Sequence, residues 1–197
     1  MTSYNPKIHH RQSIRLRGYD YSQAGAYFIT ICTYQRECLF GEIVNSQMCL
    51  NKIGCIVAKE WLRSSEIRPG IELDEWIIMP NHIHAIVVFT HSVGAHSCAP
   101  LPDAPLQGVP YRKPRSLSSM IAGFKSAATK RINEIRQTPA IPVWQRNYYE
   151  QIIRNDSSLH DIRQYIANNP SNWLPDSENP TNASFKLLSN SAIAPHN

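Results

Sequence analysis

The stretch Trp76–Thr90 reads WIIMPNHIHAIVVFT, and the fold follows from how it is divided. Pro80 and Asn81 are turn formers between two apolar runs, Trp76–Met79 and His82–Thr90, so the stretch is a pair of strands joined by a tight connection. Successive side chains of a strand alternate faces, which puts His82 and His84 on one face, roughly 6–7 Å apart. Two imidazoles at that separation can converge on one metal ion. Their place beside the turn sets them at the mouth of the sheet, within reach of a substrate. The competing reading is that they are polar caps on a solvated edge, and the His-x-His spacing alone does not separate the two.

The composition bounds the answer. A chain of 197 residues with 42% hydrophobic content fits one folded unit with a sizeable core. Five cysteines, Cys32, Cys38, Cys49, Cys55 and Cys98, form neither a Cys-x-x-Cys pair nor a zinc-ligand spacing, and their odd number fits reduced thiols in a cytoplasm. No stretch reaches the length of a membrane span, and the N-terminus lacks the apolar run of a signal peptide. The expectation is a cytoplasmic protein with no membrane partner. A formal charge of +5 and a pI near 9.0 lean toward a polyanionic partner.

Working outward, residues 1–25 form a basic arm containing Arg15 and Arg17, either solubilising or in contact with phosphates. AYFITICTY, from Ala26, is a buried strand. LFGEIVNSQMCLN follows as a small hairpin turning at Asn45–Ser46. Asn51 caps a helix, KIGCIVAKEWLRSSEI, with Ile53, Val57, Trp61 and Leu62 at helical spacing, stopped at Arg68-Pro69-Gly70. After the central hairpin, residues 92–115 are a long proline-rich loop ending in Arg112, Lys113 and Arg115. A second helix runs from about Leu117 to Ile135, its apolar face made of Leu117, Ile121, Phe124, Ala128 and Ile135. Lys125, Lys130, Arg131 and Arg136 decorate its rim. VWQRNYYEQIIR is the last strand. Asp156 or Ser157 caps a third helix, docked by Leu159, Ile162 and Ile166 and ended by Pro170, and residues 175–197 are a polar tail expected to be disordered.

Apart from the inserted hairpin, the order is strand, helix, strand, strand, helix, strand. That is an α+β fold, the ferredoxin-like split βαβ sandwich, within a domain spanning residues 26–174 and carrying an added C-terminal helix. On that helix Tyr165 and Asn169, four residues apart, share a flank.

The segments RLRGYDY, YFITICT, MPNHIH, VWQRNYYEQIIRN and QYIANNP, in this order between about Arg15 and Trp173, resemble the single-tyrosine HUH transposases of small insertion sequences. The similarity is strongest to the REP-associated tyrosine transposases. The resemblance implies an endonuclease and strand transferase that cuts and rejoins single-stranded DNA near hairpins. It implies that Tyr165 is the nucleophile, forming a 5′-phosphotyrosine, and that His82, His84 and Asn169 hold Mg2+ or Mn2+, with Asn168 as the substitute for Asn169. Imidazole and carboxamide suit these ions less than carboxylates do, so binding is expected to be weak. Transesterification conserves bond energy and needs no nucleotide cofactor, and no P-loop-like sequence is present.

Tyr148 and Tyr149 are rival phenols, but adjacent tyrosines in an aromatic strand read more strongly as core or stacking residues. The expected DNA contacts are Arg15, Arg17, Arg112, Lys113, Arg115 and Arg146 on phosphates, with Trp144 and Tyr148 stacking on unpaired bases. Two other functions fit the residues less fully. One is a metal-dependent phosphodiesterase that uses water, with Tyr165 structural. The other is a non-catalytic nucleic-acid-binding module. Monomer and helix-swapped dimer are both open.

Overall fold

The computed structural model describes residues 21, 23–90, 115–174 and 179–180. The sequence readings for the arm, most of the proline-rich loop and the tail, including Arg15, Arg17, Arg112 and Lys113, lie outside the described residues.

The elements run β1 (Gly25–Cys32), β2 (Gly41–Val44), β3 (Gln47–Leu50), α1 (Lys52–Glu66), β4 (Ile71–Ile78), β5 (His82–Phe89), α2 (Leu117–Arg136), β6 (Tyr149–Ile153) and α3 (Asp156–Asn168). The four-stranded sheet has the order β4-β5-β1-β6, antiparallel throughout. This is the α+β sandwich expected, with the two strands of the central hairpin at one side and the first strand inside. The small hairpin β2–β3 stands apart as its own ribbon, turning through Asn45 (φ 50) and Ser46 (φ 60), the left-handed pair that a two-residue hairpin turn requires.

The two faces of the sheet carry different loads. Tyr27, Ile29 and Ile31 of β1 and Ile83, Ala85, Val87 and Phe89 of β5 belong to one large core together with Val57 and Trp61 of α1 and Met120, Ile121, Phe124 and Ala128 of α2. The alternate residues Phe28 and Ile86 face the other way, into a smaller cluster with Ile153 and with Leu159, Ile162 and Ile166. Asn51 caps α1 by accepting from the N–H groups of Ile53 and Gly54. Gly54 is fixed by packing: a Cβ there would lie 2.2 Å from the Phe40 carbonyl oxygen.

Several local expectations are corrected. Leu62 and Ile135, assigned to the apolar faces of their helices, are exposed at 46% and 57%. Met120 and Ile132 join Leu117, Ile121, Phe124 and Ala128 in α2's buried face. The last strand is only Tyr149–Ile153, and Val143–Trp144 runs before it with an isolated bridge to Thr33. The cap of α3 is Asn155, whose side chain accepts from Ser158 N–H, one residue earlier than expected.

Candidate active site

The first and third residues of β5 are His82 and His84, paired across to Cys32 and Thr30 of β1. Both are buried, at 0% and 3% exposure, rather than standing open at a mouth, because α3 and the turn after it close over them. Their ring centroids are 4.4 Å apart, closer than the strand repeat alone gives, since the two rings lean together.

Second partners orient each ring. The buried Asn81 carboxamide donates through Nδ2 to the Arg36 carbonyl, which turns its Oδ1 toward His82 Nδ1 at 2.8 Å. Oδ1 can only accept, so His82 carries its proton on Nδ1 and leaves Nε2 a bare lone pair. His84 Nδ1 lies 2.9 Å from Thr30 Oγ1. His84 Nε2 points at the Tyr165 hydroxyl, 3.2 Å away. Burial disfavours the charged form of both rings. It holds His82 well below the usual histidine range, reinforced by the neighbouring His84 and Arg36 and opposed by Asn169, and it pushes His84 down to about 3. Both imidazoles are neutral at pH 7, the form that ligates metals.

Helix α3 delivers the other two groups. Its stripe of Leu159, Ile162 and Ile166 docks on Phe28 and Ile86, and Arg163 ties it to β4 through Nε donating to Asp74 Oδ1 at 2.8 Å. Tyr165 follows around the helix at the edge of this contact. It is 48% exposed, with its ring edge-on to Phe28 and against His84. Asn169, at the helix C-terminus, is 2% exposed and faces His82. Neither His82 Nε2 nor Asn169 Oδ1 has a hydrogen-bond partner among the described residues. Buried polar atoms left in this state are costly unless a cation or a water joins them.

Beside Tyr165 and His84 a cleft of about 330 Å³ opens over the β1–β6 side of the sheet, lined also by Arg36, Gln145, Asn147, Tyr148 and Tyr149. Lys125 holds its outer wall, donating to the carbonyls of Gln145 and Asn147, so this lysine of the α2 rim has a bonded role rather than a solvated one. Arg131, another rim residue, lies 2.9 Å from the buried Glu60.

The remaining predicted residues scatter. Trp144, expected to stack on unpaired bases, is 7% exposed and packs against Phe40 and Phe124 with centroids 5.3 and 5.4 Å apart. It is a core residue, drawn in by the bridge to Thr33. Arg115 and Arg146 are exposed and do not line the cleft. Tyr149 lines it, with its hydroxyl on Gln151. Sequence reading missed Asn81, Thr30, Arg36 and Trp173. Only Asn81 carried a signal, as an amide beside a histidine, and its tertiary partner lies 45 residues away in sequence.

This fold is shared with a solved structure described as a REP-associated tyrosine transposase bound to a REP hairpin. The two are 19% identical, with a TM-score of 0.53 over 80% of this chain and 72% of that one. The likeness is one of fold. No family model matches the sequence. A protein of Haemophilus influenzae (strain ATCC 51907 / DSM 11121 / KW20 / Rd), described as uncharacterized, is 41% identical over 175 residues, covering 89% of this chain and 96% of the relative. The chain belongs to the same family as that protein. No helix among the described residues is long and apolar enough to cross a membrane.

Proposed function

We propose that the protein is a transposase-type endonuclease and strand transferase acting on single-stranded or hairpin DNA, with Tyr165 as nucleophile. The observation that carries this reading is the convergence of the Tyr165 hydroxyl, 3.2 Å from His84 Nε2, with two unpartnered buried lone pairs, His82 Nε2 and Asn169 Oδ1. The neighbour bound to a hairpin supports the choice of DNA as substrate. The folded unit on which the reading depends is the 26–174 domain.

The donor set fits a divalent cation. His82 and His84 are neutral, Asn169 offers a carbonyl oxygen, and no protein proton occupies His82 Nε2 or Asn169 Oδ1. In this reading the third protein ligand is the Asn169 amide oxygen, which stands buried beside His82. Without a carboxylate the set binds Mg2+ or Mn2+ weakly and leaves room for phosphate oxygens. When bound, such an ion polarises the scissile phosphate and offsets its charge.

The chain's own residues do the rest. Asn81 and Thr30 hold the two imidazoles, and Phe28 and His84 hold the Tyr165 ring. The phenol gives up its proton, its oxygen forms a bond to phosphorus, and the bond from phosphorus to the 3′ oxygen breaks, leaving a 3′ hydroxyl once that oxygen is protonated. The reverse exchange rejoins strands without an added energy source. Half-exposure of Tyr165 lets a strand approach, while the buried histidines stay dry.

The test is incubation with Mn2+ and labelled single-stranded hairpin DNA from the flanks of the protein's own gene, read on a denaturing gel. A protein–DNA adduct from the wild type, lost in both Tyr165→Phe and His82→Ala, is the expected result. Cleavage that persists in Tyr165→Phe would move the nucleophile to water or another tyrosine. Binding without cleavage would leave a nucleic-acid-binding module.

A further inference from the structure

The chain between α2 and β6 is pinned before the strand begins. The Val143 carbonyl accepts from Tyr34 N–H, and Gln145 N–H donates to the Cys32 carbonyl at the end of β1. From α2, Lys125 Nζ donates to the carbonyls of Gln145 and Asn147 at 2.9 and 3.0 Å. The same ammonium lies 5.8 Å from the centroid of the Tyr148 ring, a cation–π contact. One lysine therefore fixes two backbone positions and an aromatic ring.

That frame presents two carboxamides. Gln145 and Asn147 both line the cleft that holds Tyr165 and His84, whereas Arg146 between them does not. Their side chains make no hydrogen bond to the described residues. Phe28 and Tyr148 add ring surface, and no carboxylate among the described residues lines the space. At about 330 Å³ the cleft lies at the small end of ligand pockets, about 300–1,000 Å³, which suits one unpaired base rather than a duplex. A carboxamide sets a donor beside an acceptor, the pattern that reads a base edge. Edge reading needs such groups held in place, and the pinned backbone holds them. Aromatic faces stack on any base.

We infer that this cleft binds one unpaired nucleobase, from the nucleotide adjoining the phosphate that Tyr165 attacks, and that Gln145 and Asn147 read its edge, a role that rests on the proposed reading of the site. Phe28 and Tyr148 supply stacking to whichever base enters, and the two carboxamides set the preference among the four. Neither carboxamide touches a reacting atom. Both are specificity residues, and they recognise the base without help from a metal.

The experiment uses the full chain in divalent-free buffer, with the labelled hairpin oligonucleotide of the adduct assay and fluorescence anisotropy as the readout. An abasic residue is walked one position at a time through the single-stranded flank, and the sensitive position is then filled with each of the four bases. One position, adjoining the phosphate at which the adduct forms, should weaken wild-type binding about tenfold when abasic. The four bases there should spread in affinity by about tenfold. The double variant Gln145→Ala/Asn147→Ala should keep the wild-type Tm and salt slope, since it removes no packed group and no cation, yet bind all four bases alike. Gln145→Glu, which keeps the shape but can only accept, should change the order of preference.

A wild type indifferent to an abasic residue at every position overturns the inference, as does a sensitive position away from the cleaved phosphate. So does a double variant that keeps the wild-type order of preference. A lowered Tm with equal loss on every oligonucleotide makes the two amides structural and also overturns it. A wild type that shows the base preference but forms no adduct with Mn2+ supports the base site and overturns the assignment of Tyr165 instead.

Discussion

The two faces of the sheet solve opposite problems with the same strands. On one, α1 and α2 together cover Tyr27, Ile29, Ile31, Ile83 and Ala85 so fully that each is at 0% exposure. On the other, α3 packs mainly over β4 and β5, leaving much of the β1–β6 half open as the cleft beside Tyr165. The first face holds the fold together through apolar burial. The second takes polar groups, His82, His84 and Asn169, that an ordinary core would exclude, and satisfies them only in part. Because β1 and β5 alternate between the faces, rigidity generated on one side positions the chemistry on the other.

The largest expected effect falls on the open face. Tyr165→Phe should lower the rate of adduct formation at least about 10³-fold while shifting unfolding free energy by no more than about 0.5 kcal/mol, measured by gel assay and denaturant melts. Tyr149→Phe should leave the adduct intact. A Tyr149→Phe variant that also lost the adduct would blur the assignment of roles within that face.

The covered face should respond in the opposite sense. Trp144→Ala is expected to cost about 3–5 kcal/mol of stability in urea unfolding, whereas Tyr149→Ala, at a position 37% exposed, should cost far less. Comparable losses would mean that the cleft side also carries the core.

Asn81→Ala tests the seam between the faces. Removing the acceptor that orients His82 should weaken Mn2+ binding by about 10–100-fold, followed by calorimetry or by paramagnetic broadening of imidazole signals. An unchanged affinity would show that packing against His84 and Trp173 suffices to hold the ring.

The smallest effect concerns the tether of α3. The Arg163 side chain, by hydrogen bonding to Asp74, holds its carboxyl below the usual carboxylate range, against the opposing effect of burial. A lowered folded value means the contribution is present above the unfolded carboxylate range, near pH 4, and is lost as pH falls through the folded value. Asp74→Asn should therefore lower Tm slightly at pH 7, with the difference closing at acid pH. The partly exposed pair makes this effect small. A difference that grows on acidification would contradict the tether.

How much was legible follows from the range of each interaction. The hairpin around Pro80–Asn81, the shared face of His82 and His84, the Asn51 cap and the helix bearing Tyr165 and Asn169 are set by periodicities and turn chemistry within a few residues, and sequence reading reached them directly. Helix faces were read less well, since Leu62 and Ile135 fit an apolar stripe but the crossing of each helix on the sheet decides which side is buried. Trp144 illustrates the same limit, because an aromatic followed by Gln145 and Arg146 reads as a stacking surface until a bridge to Thr33 turns it inward.

The sequence by itself determined the strand and helix order, the paired histidines and the flank on which the phenol and the amide stand together, because these depend on backbone period alone. The tertiary structure decided which imidazole nitrogen is bare, through Asn81, and brought Thr30 and Tyr165 to His84 across 54 and 81 residues of chain. It also decided that Arg36, in an unremarked turn, enters the cleft. Those outcomes depend on contacts between distant segments, and only the packed sheet, with one face full and the other half covered, fixes where such segments meet.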